Sequence, residues 1–154
     1  MPENFPQNLK NALARWPSGV AVVAVRREGE IRGMTVSSFT SVSLEPALVL
    51  VSVDKKANLL PWIKQERRFT LNLLAEGQEE VSAHFAGKSE VNGPFFPATG
   101  DPLLKGAHAT LVCTLWKLYP GGDHRIVVGE VQGLYIGKPG KPLVYWNRGY
   151  RRIC

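Results

Sequence analysis

Cysteine is almost missing from this chain. The two present, Cys113 and Cys154, exclude a disulfide framework. Cys113 sits in an apolar, strand-like run and reads as a small buried hydrophobe. Long hydrophobic runs are missing too. Stretches such as ALVLVSV are far too short to span a bilayer, and MPENFPQNLK lacks the apolar stretch of a signal peptide. The expectation is a cytoplasmic protein with no membrane partner. The three histidines, His84, His108 and His124, have no metal-ligand spacing, so no metal site is expected. There is no GxSxG, no GxGxxG and no Walker loop, which leaves no nucleophile elbow and no phosphate-cradling fingerprint.

Acidic residues are the minority charge, 13 against 19 basic, for a formal charge of +6. Such an excess attracts anions. The basic residues are scattered, with small clusters at Lys55–Lys56, Arg67–Arg68 and Arg151–Arg152. Without a long basic tract, small phosphorylated ligands suit the charge better than nucleic acid. What is plentiful is turn formers: 15 Gly and 11 Pro in 154 residues. That length suits one domain, taken as residues 1–154.

Helical spacing of Leu9, Ala12, Leu13 and Trp16 predicts a helix over 7–16, stopped by Pro17. Small and β-branched residues predict a buried strand over Gly19–Arg27. A turn at Glu28–Gly29 leads to a second strand, Ile31–Phe39. Ala47–Val53 is the next strand, after a Glu45–Pro46 turn. Asn58–Glu66 reads as a helix with Asn58 as N-cap and Pro61 in the first turn. A strand over Phe69–Leu74 precedes a short helix, Gln78–Phe85, with Gly87 beyond its end. Residues 88–101 shift to Gly, Pro, Ser, Asn and Thr and read as a long, mobile surface loop. Strands over Ala107–Leu118 and Arg125–Ile136 flank the turn YPGGDH. Leu143–Trp146 closes the set before a basic tail. Short successive strands predict a mainly β, largely antiparallel, closed or partly open barrel with helices at its ends.

One stretch stands apart: GMTVSSFTSVSLEP, Gly33 to Pro46. Six of the nine residues from Thr35 to Ser43 carry hydroxyls. They are Thr35, Ser37, Ser38, Thr40, Ser41 and Ser43. Adjacent pairs point to both faces, and buried hydroxyls need partners. Two readings stay open here, a solvated strand face and a cradle for a polar-edged ligand.

Two further features favour the ligand. The strand end SVDKKANLL places Ser52, Asp54, Lys55, Lys56 and Asn58 ahead of a helix start, where free N–H groups and lysines suit an anion. The turn GGDHRIVVGEV sets His124 at a strand mouth behind two glycines and an aspartate. A turn histidine by itself is compatible with plain surface.

Taken together, WPSGVAVVAV, GMTVSSFTSVSLEPALVLVSVDKKAN, RRFTLNLLAEGQEEVSAHFAGK, GGDHRIVVGEV and PLVYWNRGYRR resemble the short-chain flavin reductase family, in family order from near residue 16 to 152. The resemblance implies a homodimeric, flavin-binding split β-barrel. It implies FMN or FAD as flavin and NADH or NADPH as hydride donor. It places Met34, Thr35, Val36, Ser37 and Ser38 along the flavin ring edge and ribityl chain. Ser52, Val53, Asp54, Lys55 and Asn58 fall around the ribityl and phosphate. Phe85, Ala86, Gly87 and Lys88, with Tyr150 and Arg151, fall near the flavin. Gly122, Asp123 and His124 are associated with nicotinamide binding. Gly77 departs from the family's polar residue before the second helix, and loop 88–101 matches poorly.

A flavin ring needs hydrogen bonds on one edge, apolar surface on its faces, and donors where reduction leaves negative charge. Hydride transfer needs stacking and water exclusion more than an acid–base pair. Hence no catalytic residue stands out, and His124 is a nicotinamide-positioning candidate. Ser37 and Ser38 are the first flavin ligands expected, then Thr35. Thr40, Ser41 and Ser43 are assigned to the barrel bend or a dimer contact, and Phe39 and Val42 to the core. The leading expectation is an NAD(P)H-dependent flavin reductase supplying a flavin-dependent monooxygenase. The alternatives are a flavoprotein with permanently bound FMN and a non-catalytic barrel that binds anions or nucleic acid.

Overall fold

The computed structural model describes residues 3–154. Helix α1 (Phe5–Leu13) leads into β1 (Ser18–Gly19), β2 (Ala21–Arg27), β3 (Glu30–Val36), β4 (Thr40–Leu44) and β5 (Ala47–Asp54). Then come α2 (Leu59–Glu66), β6 (Arg68–Leu73), α3 (Glu79–Phe85), β7 (Ala109–Gly121), β8 (His124–Ile136), β9 (Val144–Trp146) and β10 (Gly149–Arg151). Seven strands form one antiparallel sheet in the order β3-β2-β6-β7-β8-β5-β4. A small second sheet orders β1-β9-β10. The mainly β, antiparallel expectation holds.

The run AVVAV of β2 is buried on both faces because β2 lies inside the sheet between two cores. Val23 and Val25 join Val51, Val53, Ile63, Phe69, Leu71 and Val127 in the larger cluster. Val20 and Val22 join Leu74, Leu104 and Leu143 in the smaller one. Between them Asn72 is fully satisfied. Its amide donates to the Val22 carbonyl and to Thr70, and its oxygen accepts from the Leu104 N–H and Thr110.

Turn chemistry fixes the hairpins. Glu28 and Gly29 both have positive φ, as a type I′ turn requires. Asn147 and Arg148 do the same between β9 and β10, so the expected basic tail is a strand. The β7–β8 ladder runs through Pro120 and Gly121, leaving a two-residue turn, Gly122–Asp123, with Gly122 at φ 68°. The expected YPGGDH loop is thus mostly strand.

Other differences have local causes. α1 ends at Leu13 and not Trp16, because the Ala14 and Arg15 carbonyls accept from the Asn147 N–H and the Trp146 indole. The second strand breaks after Val36 and resumes at Thr40. Asn58 makes no side-chain cap on α2; its backbone is already helical. Val42, expected in the core, is 48% exposed, because a bulge between Ser41 and Ser43 turns it outward. Loop 88–101 contains no helix or strand but is tied down. Arg26 donates to the Pro97 and Gly100 carbonyls, Arg68 clasps Asp101, and Phe95 and Phe96 pack on Phe85.

Candidate flavin site

The break between β3 and β4 sits at the lip of an open groove of about 540 Å³. Its walls are Val20, Ala21, Leu73, Leu74, Leu143 and Phe39, and its rim carries Trp16, Ser18, Ser37, Ser38, Thr40 and His108. A smaller cavity of about 150 Å³ shares Val20 and Ser37 with it. Thr35, Ser82, Ala86, Lys88 and Tyr150 line that second space. A flat, largely apolar ring with a polar edge suits the groove. A tail bearing an anion suits the side holding Lys88.

The hydroxyls of the segment have different tasks. Ser38 accepts from the Ser52 N–H at 2.9 Å and donates to the Ser52 carbonyl at 3.1 Å. It pins the barrel corner to β5. Thr35 donates to the Ser82 carbonyl at 2.7 Å, and Tyr150 donates to the Ser82 hydroxyl at 2.7 Å. These bonds hold α3 against β3 and β10. Ser37 is exposed and forms no side-chain hydrogen bond among the described residues, so its hydroxyl is free for a ligand.

The remaining expected residues fall into two further groups. β5 and β8 pair Asp54 with His124, and the Lys55 N–H donates to the Asp123 carbonyl. The Ser52–Lys55 stretch and the Gly122–His124 turn therefore meet at one barrel end. Asp123 contacts His124 Nδ1 at 2.8 Å, and that contact holds its carboxyl below the usual range. Asp54 accepts from the Lys56 N–H, so its carboxylate serves its own turn. Met34 and Asn58 line a separate open cavity with Arg32, whose guanidinium lies 4.4 Å over the Trp62 ring.

Several expected side chains face elsewhere. Val53 is fully buried in the core, leaving only its backbone to offer. Phe85 packs against the bare Gly33, where a Cβ would sit 2.8 Å from the ring. Gly87 takes a positive φ past α3. Arg151 lies on β10 near Trp146 and its Nη1 donates to the Tyr150 carbonyl. It lines neither the groove nor the smaller cavity. Trp16, Ser18, Ser82, His108 and Leu143 were not singled out as ligands from sequence. Trp16 and Ser18 lie in WPSGVAVVAV, whose alternation of turn and strand residues was the available signal.

The antiparallel strands open at the β3–β4 break into an apolar groove with a hydroxyl rim, and this architecture is shared with solved flavin reductases. The chain belongs to the flavin reductase-like domain family, whose pattern matches residues 13–154. It is 53% identical to the reductase component of 4-hydroxyphenylacetate 3-monooxygenase from Thermus thermophilus, over 94% of each chain. It is 40% identical to an NADH-dependent flavin reductase of Rhodococcus, over 99% of this chain and 89% of that protein. Among solved structures, flavin reductase PheA2 superposes with a TM-score of 0.91 at 33% identity, covering 100% of this chain and 99% of the other. The NADH:FAD oxidoreductase SgcE6 of Streptomyces globisporus, solved with NAD and FAD fragments, gives 0.89 at 35% identity, covering 100% and 96%.

Proposed function

We propose that this protein is an NAD(P)H-dependent flavin reductase that delivers reduced flavin to a separate monooxygenase. The observation that carries the reading is the groove at the β3–β4 break, apolar on its walls and hydroxylated on its rim, beside a smaller cavity that shares Val20 and Ser37 with it and is lined by Lys88. Relatives named as a monooxygenase reductase component and as an NADH-dependent flavin reductase support it.

The bound flavin supplies the acceptor for a hydride from the nicotinamide. The chain's part is to bind and orient. Ser37 offers a hydroxyl to the ring edge, and the walls from Val20 to Ala21 and Leu73 to Leu74 exclude water from its face. Lys88 offers charge to the phosphate. His124, held by Asp123, is assigned to the nicotinamide. No side chain is required to move a proton.

A homodimer fits the surface. Leu44 is 96% exposed and Ile136 79%, on two strands that carry further bare apolar residues, Val42 and Leu134. A second copy is assigned to cover them. A cytoplasmic location, beside the nicotinamide pool, suits this donor; among the described residues no helix is long and apolar enough to cross a membrane.

The test is NADH or NADPH oxidation with FMN, FAD or riboflavin, followed by loss of near-ultraviolet absorbance. Saturation by added flavin as a second substrate is expected. A protein that purifies yellow and shows ping-pong kinetics with another acceptor would instead mean fixed FMN. No nicotinamide oxidation with any flavin would sink the proposal.

A further inference from the structure

His108 sits just before β7, with both backbone groups engaged. Its N–H donates to the Leu73 carbonyl at 2.8 Å, and its carbonyl accepts from the Gly137 N–H at 2.9 Å. Gly137 has to be bare there, since a Cβ would lie 2.9 Å from the His108 carbonyl oxygen and closer still to that of Ala107. The imidazole is therefore planted on a fixed backbone at the groove rim.

Its Nδ1 is sealed from solvent and has no hydrogen-bond partner. A proton there would bury an unpaired donor, the costlier arrangement for a neutral ring. The proton accordingly belongs on Nε2, the only ring nitrogen left to face the groove. Around it the walls are apolar: Ala21, Leu73, Leu74 and Leu143. Ser38, a half-buried hydroxyl on the same groove, already serves Ser52. The His108 ring makes no side-chain hydrogen bond among the described residues, so an Nε2–H donor has no partner inside the protein.

We propose that His108 is a flavin-binding residue, donating Nε2–H to an acceptor on the edge of the ring held in the groove. This rests on the flavin reductase reading above. A flavin ring carries carbonyl and imine acceptors along one edge, and a fixed donor beside apolar walls selects the orientation that meets it.

The experiment is titration of flavin fluorescence with the purified protein, using lumiflavin, which has the ring without ribityl chain or phosphate, and FMN in parallel. Three variants are compared with wild type: His108→Leu, His108→Gln and His108→Asn. A Gln amide nitrogen reaches about where Nε2 lies; an Asn amide stops near Nδ1. The expected result is about tenfold weaker lumiflavin binding for His108→Leu and His108→Asn, the worth of one hydrogen bond. His108→Gln is expected to recover most of it, with the nicotinamide Michaelis constant of all three near wild type. Lumiflavin affinity of His108→Leu within twofold of wild type would overturn the proposal, as would His108→Gln as weak as His108→Leu. If His108→Leu does not fold by circular dichroism, the Gln–Asn contrast decides alone. Wild type that binds neither flavin overturns the flavin reading itself, a different outcome from wild type that binds and variants that match it.

Discussion

Ser38 and Ser52 are joined twice: one hydroxyl accepts the Ser52 N–H at 2.9 Å and donates to the Ser52 carbonyl at 3.1 Å. The pair stitches the break between β3 and β4 to β5 and so closes the barrel corner where the groove opens. Ser38→Ala leaves both Ser52 groups without this partner and is expected to cost about 1–3 kcal/mol of stability, read as a lower denaturation midpoint. Ser37→Ala is expected to leave the midpoint unchanged and weaken flavin binding. The reverse pattern, with Ser38 needed only for ligand, would show that the corner does not depend on the stitch.

Two residues further along β5, where Asp54 pairs with His124, Asp123 grips His124 Nδ1 at 2.8 Å on a two-residue turn. The turn also accepts the Lys55 N–H, so its backbone is held independently of the ring. His124→Ala is expected to raise the nicotinamide Michaelis constant about tenfold while the flavin dissociation constant stays within twofold. Unchanged kinetics with both substrates would remove His124 from the site.

The contrast between Ser37 and Ser38 also shows where sequence reading stops. The strands from Val22 to Val25 and from Val49 to Val53 were legible because apolar runs of that length bury in only a few ways. The Gly122–Asp123 turn was legible from its glycines. Which hydroxyl stitches and which stays free was not, because that depends on Ser52 arriving across the barrel from 14 residues away. Val42 misled for a related reason: a bulge reverses a strand's faces without leaving a mark in composition. The residues after Trp146 read as a basic tail, whereas they turn and pair as β10; Asn147, a residue type that tolerates a left-handed turn, was the signal for it. His108 left no signal at all, since neither its sealed Nδ1 nor its place on the groove follows from local sequence.

Cys113 is fully buried, and burial pushes its thiol up to about 12. Cys154 is exposed at the chain end. A thiol-disulfide reagent at pH 8 is expected to titrate one thiol rapidly in the native protein and a second only after denaturant is added. Two thiols reacting at the same rate in native buffer would mean that the β6–β7 layer around Cys113 opens readily.

Loop 88–101 meets the barrel through Arg68 and Asp101, paired at 2.8 and 2.9 Å. The guanidinium bond holds the Asp101 carboxyl below its ordinary value of 3.8. A lowered folded-state value means the carboxylate favours the folded protein above the ordinary range. That contribution fades as pH falls through the lowered value. The Arg68 side chain is 50% exposed, so after solvent screening the pair is worth about 0.5 kcal/mol. Asp101→Asn is therefore expected to lower the denaturation midpoint slightly at pH 7 and to converge with wild type as pH falls through the lowered carboxylate value. Because Arg26 separately holds the Pro97 and Gly100 carbonyls, Asp101→Asn alone leaves the loop attached. Adding Arg26→Ala is expected to raise amide exchange across residues 95–101 well beyond either single change. Equal protection in the double variant and wild type would show that the Phe95 and Phe96 contacts with Phe85 hold the loop without the arginines.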